Sequence, residues 1–117
     1  MKLQGDIFKS AKPGETTTFE GAFPTIKTVN VVIKEEGQGT EGLGLRALTR
    51  RSVRETINCS NPRCFGKGLD LGGLMRKMVH AGETTHTVEI VCGSRHRRFH
   101  ACCNVFYVQL AITYKSI

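Results

Sequence analysis

Five cysteines carry the chemistry that is easiest to recognise in this sequence, and they fall into two groups. Cys59 and Cys64 flank the turn residues Ser-Asn-Pro-Arg, and Cys92 is followed after a loop by the adjacent pair Cys102 and Cys103. Zn²⁺ takes four soft ligands at tetrahedral corners, and chains commonly supply thiolates from two close groups on turns. The spacing therefore predicts a structural Zn²⁺ site that joins two distant turns.

Strand parity selects among the three later cysteines, because side chains on one face of a strand recur at every second residue. Cys92 is in phase with Val88 and Ile90, and Cys102 is in phase with Phe106, whereas Cys103 is out of phase with that core face. The predicted ligands are Cys59, Cys64, Cys92 and Cys102, with Cys103 and His100 as rivals for the fourth position.

Two other interpretations of the cysteines stay open. They could be isolated buried thiols that behave as small hydrophobic side chains, or they could form a disulfide or redox pair, although no C-x-x-C motif occurs. An odd cysteine count and a first segment unlike a signal peptide favour a reducing, cytoplasmic location. No apolar run approaches the roughly 18 residues that a membrane span needs.

Positive charge is concentrated in the later part of the chain. The net charge is +7, and every arginine lies after residue 41. Arginine forks suit phosphate, and an aromatic ring can stack on an unpaired base, so nucleic acid is the first candidate partner. The candidate contact residues are Arg46, Arg50 and Arg54 at spacings of four, and Arg95, Arg97, Arg98 and Phe99 in one segment.

The same charge also suits other roles. A basic surface can simply aid solubility, and exposed sheet edges could instead support a homo-oligomer or a protein partner. The sequence has no nucleophile motif, its histidines have no evident carboxylate partner, and four thiolates would close a zinc site to substrate. We therefore expect a binding or scaffolding module and no enzyme.

The elements that must position these residues follow from hydrophobic periodicity. Alternation predicts a strand at 25–34 and a hairpin of 85–92 with 104–114, and an apolar stripe after the N-cap Asp70 predicts a helix at about 70–80. Residues 45–59 fit a strand or a helix, and a strand paired with 25–34 is favoured. The expected fold is one α+β domain of order β-β-α-β-β over 25–117, preceded by an irregular arm at 1–24.

The two cysteine-bearing turns at hairpin ends, with Cys92-Gly93 in the second, resemble a zinc ribbon. The stretch from Cys59 to Tyr114 is also similar to small uncharacterised bacterial proteins that have a C-N-P-x-C-type turn and a later Cys-Gly pair. This resemblance implies a metal site and no known activity. The helix between the two turns is a departure from ordinary zinc ribbons.

A second resemblance concerns the arginine-rich stretch 46–54 and the later Asp70-Leu71-Gly72-Gly73-Leu74. Together they resemble the arginine pair and the D-x-S-x-x-G motif of PilZ domains, which implies a receptor for a cyclic dinucleotide. Gly72 stands where that family has Ser, and the final glycine of the motif is missing.

Overall fold

The computed structural model of the protein describes residues 8–62, 64, 68–92 and 104–116. These residues form an α+β fold with eight strands and two helices, so the predicted order of four strands and one helix was incomplete. The elements are β1 (Phe8–Lys9), β2 (Thr16–Thr17), α1 (Phe19–Ala22), β3 (Ile26–Glu36), β4 (Leu45–Thr49), β5 (Thr56–Ile57), β6 (Leu69–Asp70), α2 (Leu71–Ala81), β7 (Thr85–Val91) and β8 (Val105–Tyr114).

Four strands make the main sheet, in the order β4-β3-β8-β7, and every pair in it is antiparallel. The expected hairpin of β7 with β8 and the expected pairing of β4 with β3 are both present. The short strands β1 and β2 pair with each other, as do β5 and β6. These added pairs account for the strands that periodicity did not predict, because two-residue strands are too short to alternate.

One face of the main sheet supplies most of the hydrophobic core. Alternate residues of β3 and β8 are buried there, and so are three residues of helix α2. Such alternation is expected of a sheet with one covered face. The buried set is Val29, Val31 and Ile33 on β3, Phe106, Val108, Leu110 and Ile112 on β8, and Leu71, Met75 and Met78 on α2.

Helix α2 begins and ends at the residues that its sequence predicts. The Asp70 side chain caps the helix by accepting a hydrogen bond from the Gly73 amide at 3.0 Å. Gly82 takes the left-handed conformation at φ 71°, and the Glu83 amide donates to the Met78 carbonyl, which closes a Schellman motif. Within the described ranges, neither helix is long and apolar enough to cross a membrane.

Strand β4 turns the opposite face inward from the one that its apolar residues suggested. Apolar side chains stand at the odd positions Leu45 and Ala47, yet Leu45 is 67% exposed while Arg46 and Leu48 are partly buried. Arg46 can lie on the inner face because a buried carboxylate pairs with it. The strand ends at Thr49 in a tight turn, in which the Ser52 and Val53 amides both donate to the Thr49 carbonyl.

The segment before β3 contributes three phenylalanines to the core. Phe8, Phe19 and Phe23 are all nearly inaccessible to solvent. The ring of Phe8 meets those of Phe19 and Phe23 edge-on, with centroids 5.4 and 5.7 Å apart. The sequence suggested an irregular arm at 1–24, whereas its described part contains β1, β2 and α1 and packs into the interior.

Candidate metal centre

Three cysteine sulfurs converge at one place. The Sγ atoms of Cys59, Cys64 and Cys92 all lie within 4.8 Å of one another, and those of Cys64 and Cys92 are 3.6 Å apart. A tetrahedral ion with Zn–S bonds of about 2.3 Å holds its sulfurs about 3.8 Å apart. The cluster therefore has the dimensions needed to bind a metal ion.

Backbone hydrogen bonds hold Cys64 and Cys92 in place. The Cys64 amide donates to the Asn61 carbonyl at 3.0 Å, which closes the turn that carries Cys59 and Cys64. The amide of the buried Cys92 donates to the Asn104 carbonyl at 2.8 Å, so Cys92 is fixed against the start of β8. The two sequence groups of cysteines thus meet at one end of the main sheet.

The glycine-rich loop between β3 and β4 packs directly on the first cysteine turn. Gly39 has φ +78°, and a Cβ added there would lie 2.1 Å from the Ser60 carbonyl oxygen. Only glycine combines that conformation with so close an approach. The loop therefore supports the wall of the site.

The fourth predicted ligand lies outside the described residues. Cys102 and its rivals Cys103 and His100 all belong to the interval 93–103. The residues on either side of this interval, Cys92 and Asn104, are hydrogen-bonded to each other beside the sulfur cluster.

A buried carboxylate beside the sulfurs was not identified from the sequence. Glu35 on β3 is 4% exposed. Its Oε2 accepts a hydrogen bond from the Cys59 thiol, with Sγ and Oε2 3.7 Å apart. Burial acts to raise its pKa, but hydrogen bonds from Asn104 and Ser60 and the charge of Arg46 outweigh burial and hold the pKa of Glu35 below its ordinary value. Its parity was the available signal, because Glu35 is in phase with the buried Val31 and Ile33.

Two of the predicted nucleic-acid contacts instead serve intramolecular pairs. The Arg46 guanidinium donates to Glu35 at 2.9 Å. Arg50 pairs with Glu20, donates to the Ile26 carbonyl and lies 4.7 Å over the Phe19 ring. A PilZ-like use of these arginines would have to break both ion pairs.

The remaining predicted contacts are divided between two regions. Arg54 is exposed and follows the turn after β4. Arg95, Arg97, Arg98 and Phe99 lie in the interval 93–103, outside the described residues. The structure therefore does not bring Arg46, Arg50 and Arg54 onto one open strand face.

No family model, curated protein or solved structure matches this chain. The resemblances to zinc ribbons and to PilZ domains therefore stay predictions.

Proposed function

We propose that this chain is a small module built around a structural Zn²⁺ ion. The ligands are Cys59, Cys64 and Cys92, with Cys102 as the fourth and Cys103 or His100 as its rivals. The observation that carries the proposal is the convergence of three sulfurs from two segments of the chain to within 4.8 Å.

The chemistry of the donor set favours zinc in a structural role. Thiolates are soft ligands, and an all-cysteine tetrahedral site is typical of structural zinc, which has no position open for water or substrate. The site also lies where the first cysteine turn, the end of β7 and the start of β8 meet. An ion bound there would stabilise the contact between these elements.

Co²⁺ titration of the reduced protein tests this proposal and identifies the fourth ligand. The wild type is expected to take up one equivalent and to develop the thiolate charge-transfer and intense visible bands of a tetrahedral sulfur site. Cys102→Ser should lose most of this signal, whereas Cys103→Ser and His100→Ala should keep it. Wild-type protein that binds neither Co²⁺ nor Zn²⁺ when reduced would end the proposal.

The basic segment that follows Cys92 is the surface that we propose for nucleic acid. The segment contains Arg95, Arg97 and Arg98, and it begins three residues after the proposed ligand Cys92. A metal ion bound by Cys92 would therefore anchor one end of the segment. The predicted contacts Arg46 and Arg50 already pair with Glu35 and Glu20, so a phosphate at these two positions would have to compete with a carboxylate. Phe99 remains as the residue that could stack on an unpaired base.

Replacing Arg95, Arg97 and Arg98 together by Gln is expected to weaken binding of a single-stranded oligonucleotide at least tenfold at low salt. The slope of log K against log salt should fall by about 2, since each phosphate contact to a single strand contributes about 0.7. Fluorescence anisotropy across a salt series measures both quantities.

The matched control neutralises three exposed cations elsewhere, Lys12, Lys27 and Arg51. Equal losses in the two triple variants would show that only net charge matters. If the wild type does not bind at low salt, the nucleic-acid role is wrong, and the alternative of a scaffold that acts through self-assembly or a protein partner takes its place.

A further inference from the structure

We infer that Glu35 is the positioning residue of the metal centre, and that it acts with Asn104 to hold the cysteine-bearing segments in a binding geometry before any ion arrives. The inference rests on the proposed function, because it concerns the same site.

The carboxylate of Glu35 fixes the first cysteine turn. Its Oε2 accepts a hydrogen bond from the Ser60 amide at 2.9 Å, and its Oε1 accepts one from the Ser60 hydroxyl at 2.8 Å. The Cys59 thiol also points at Oε2. Three donors from two consecutive residues are therefore fastened to one strand of the main sheet.

Asn104 extends the same network to the second cysteine segment. Its amide nitrogen donates to Glu35 Oε2 at 2.8 Å, while its backbone carbonyl accepts the Cys92 amide at 2.8 Å. Its side chain also exchanges two hydrogen bonds with the Gln38 backbone, each 2.9 Å long. Glu35 and Asn104 thus connect the segments of Cys59 and Cys92 through a single buried side-chain contact.

The contacts require a carboxylate and not merely a polar side chain. Every partner that meets the two oxygens of Glu35 is a donor, and Arg46 supplies the compensating charge at Oε1. A buried charge is tolerated when it is paired and fully hydrogen-bonded. An amide at this position would point its own N–H groups at one set of these donors.

Arg46 also balances charge at the site once Cys59 binds metal as a thiolate. The carboxylate and the thiolate then carry like charge at short range, and the guanidinium on the other carboxylate oxygen offsets their repulsion. Groups that orient metal ligands in this way commonly change metal affinity by about 10- to 100-fold when they are replaced.

Glu35→Gln tests the inference, and Glu55→Gln is its matched control. Glu55 is also a largely buried carboxylate that pairs with an arginine, since Arg76 donates to both of its oxygens at 2.7 and 2.9 Å. These hydrogen bonds hold the pKa of Glu55 below its ordinary value. Its other hydrogen bond comes from the Lys9 amide, which belongs to no cysteine segment.

We expect Glu35→Gln to weaken Co²⁺ binding at least tenfold, measured by competition with a chelator, and to alter the visible Co²⁺ spectrum. Glu55→Gln should lower the melting temperature of the metal-free protein yet leave affinity within twofold of wild type with an unchanged spectrum. Ser60→Ala, which removes one hydroxyl contact, should fold and lose affinity by a few fold.

The outcomes separate this inference from the proposed function. Wild-type protein that takes up no Co²⁺ overturns both. Wild-type binding together with unchanged affinity and spectrum in Glu35→Gln and Ser60→Ala overturns the positioning role and leaves the metal site standing. Equal losses in Glu35→Gln and Glu55→Gln also overturn it, because the effect would then be one of general stability.

Discussion

Replacing Cys92 by Ser is expected to abolish the zinc-dependent part of the stability of this protein. An ion that binds only the folded state stabilises it by about 4 kcal/mol when free metal exceeds the dissociation constant a thousandfold. For a chain of this size that corresponds to a shift in melting temperature of roughly 15 °C. Cys92 is the buried member of the cluster, so its loss removes one ligand and breaks the sulfur triangle.

The measurement compares thermal melts of wild type and Cys92→Ser with excess Zn²⁺ and with chelator, both under reducing conditions. Chelator should bring the wild type down towards the variant, and it should leave the variant unchanged. Cys103→Ser serves as the cysteine control and should keep the zinc-dependent shift. A wild-type melt that ignores both zinc and chelator would contradict the structural role of the metal.

Truncating Phe8 to Ala is expected to cost about 3 to 5 kcal/mol, the usual range for a large buried aromatic residue. Phe8 is 1% exposed and its ring contacts two other rings, so the truncation opens a cavity between β1 and α1. The loss should be the same with and without Zn²⁺, since the packing that is lost lies between the rings of Phe8, Phe19 and Phe23.

Equilibrium denaturation in urea measures this loss directly. Leu45→Ala is the control, because it removes a similar apolar side chain from an exposed position and should change the free energy of unfolding by less than about 0.5 kcal/mol. A cost below about 1 kcal/mol for Phe8→Ala would show that the segment before β3 is not part of the core.

Periodicity predicted the long elements of this fold and failed on the short ones. Strands β3, β7 and β8 alternate over seven or more residues, and α2 carries a stripe and two caps, so each has enough repeats to be recognised. The phenylalanine cluster has no such repeat, because Phe8 belongs to a two-residue strand and Phe19 to a helix of four residues. Tertiary packing alone makes these positions buried.

The grouping of three cysteines at the candidate site could be predicted from the sequence, and the surroundings of these cysteines could not. Paired cysteines on turns indicate thiolate ligands by chemistry and spacing alone, which is why Cys59, Cys64 and Cys92 could be named together. Strand parity places Glu35 on the core face, but the five donors to its carboxylate come from three other segments, and no local pattern predicts them. Arg46 was assigned to an outside partner for the same reason, since its carboxylate is eleven residues away in sequence.

The pairing of β3 with β8 has a consequence for how the chain folds. These two central strands lie beside each other in the sheet, yet Glu36 and its partner Val105 are 69 positions apart in the sequence. Closing so long a loop slows folding, because the entropy of closure is lost before the contacts form. If the proposed ion binds Cys59, Cys64 and Cys92 before β3 pairs with β8, it would bring distant parts of that loop together. The entropy that is lost on closing the loop would then be smaller. The metal would then act on the rate of assembly as well as on the stability of the finished protein.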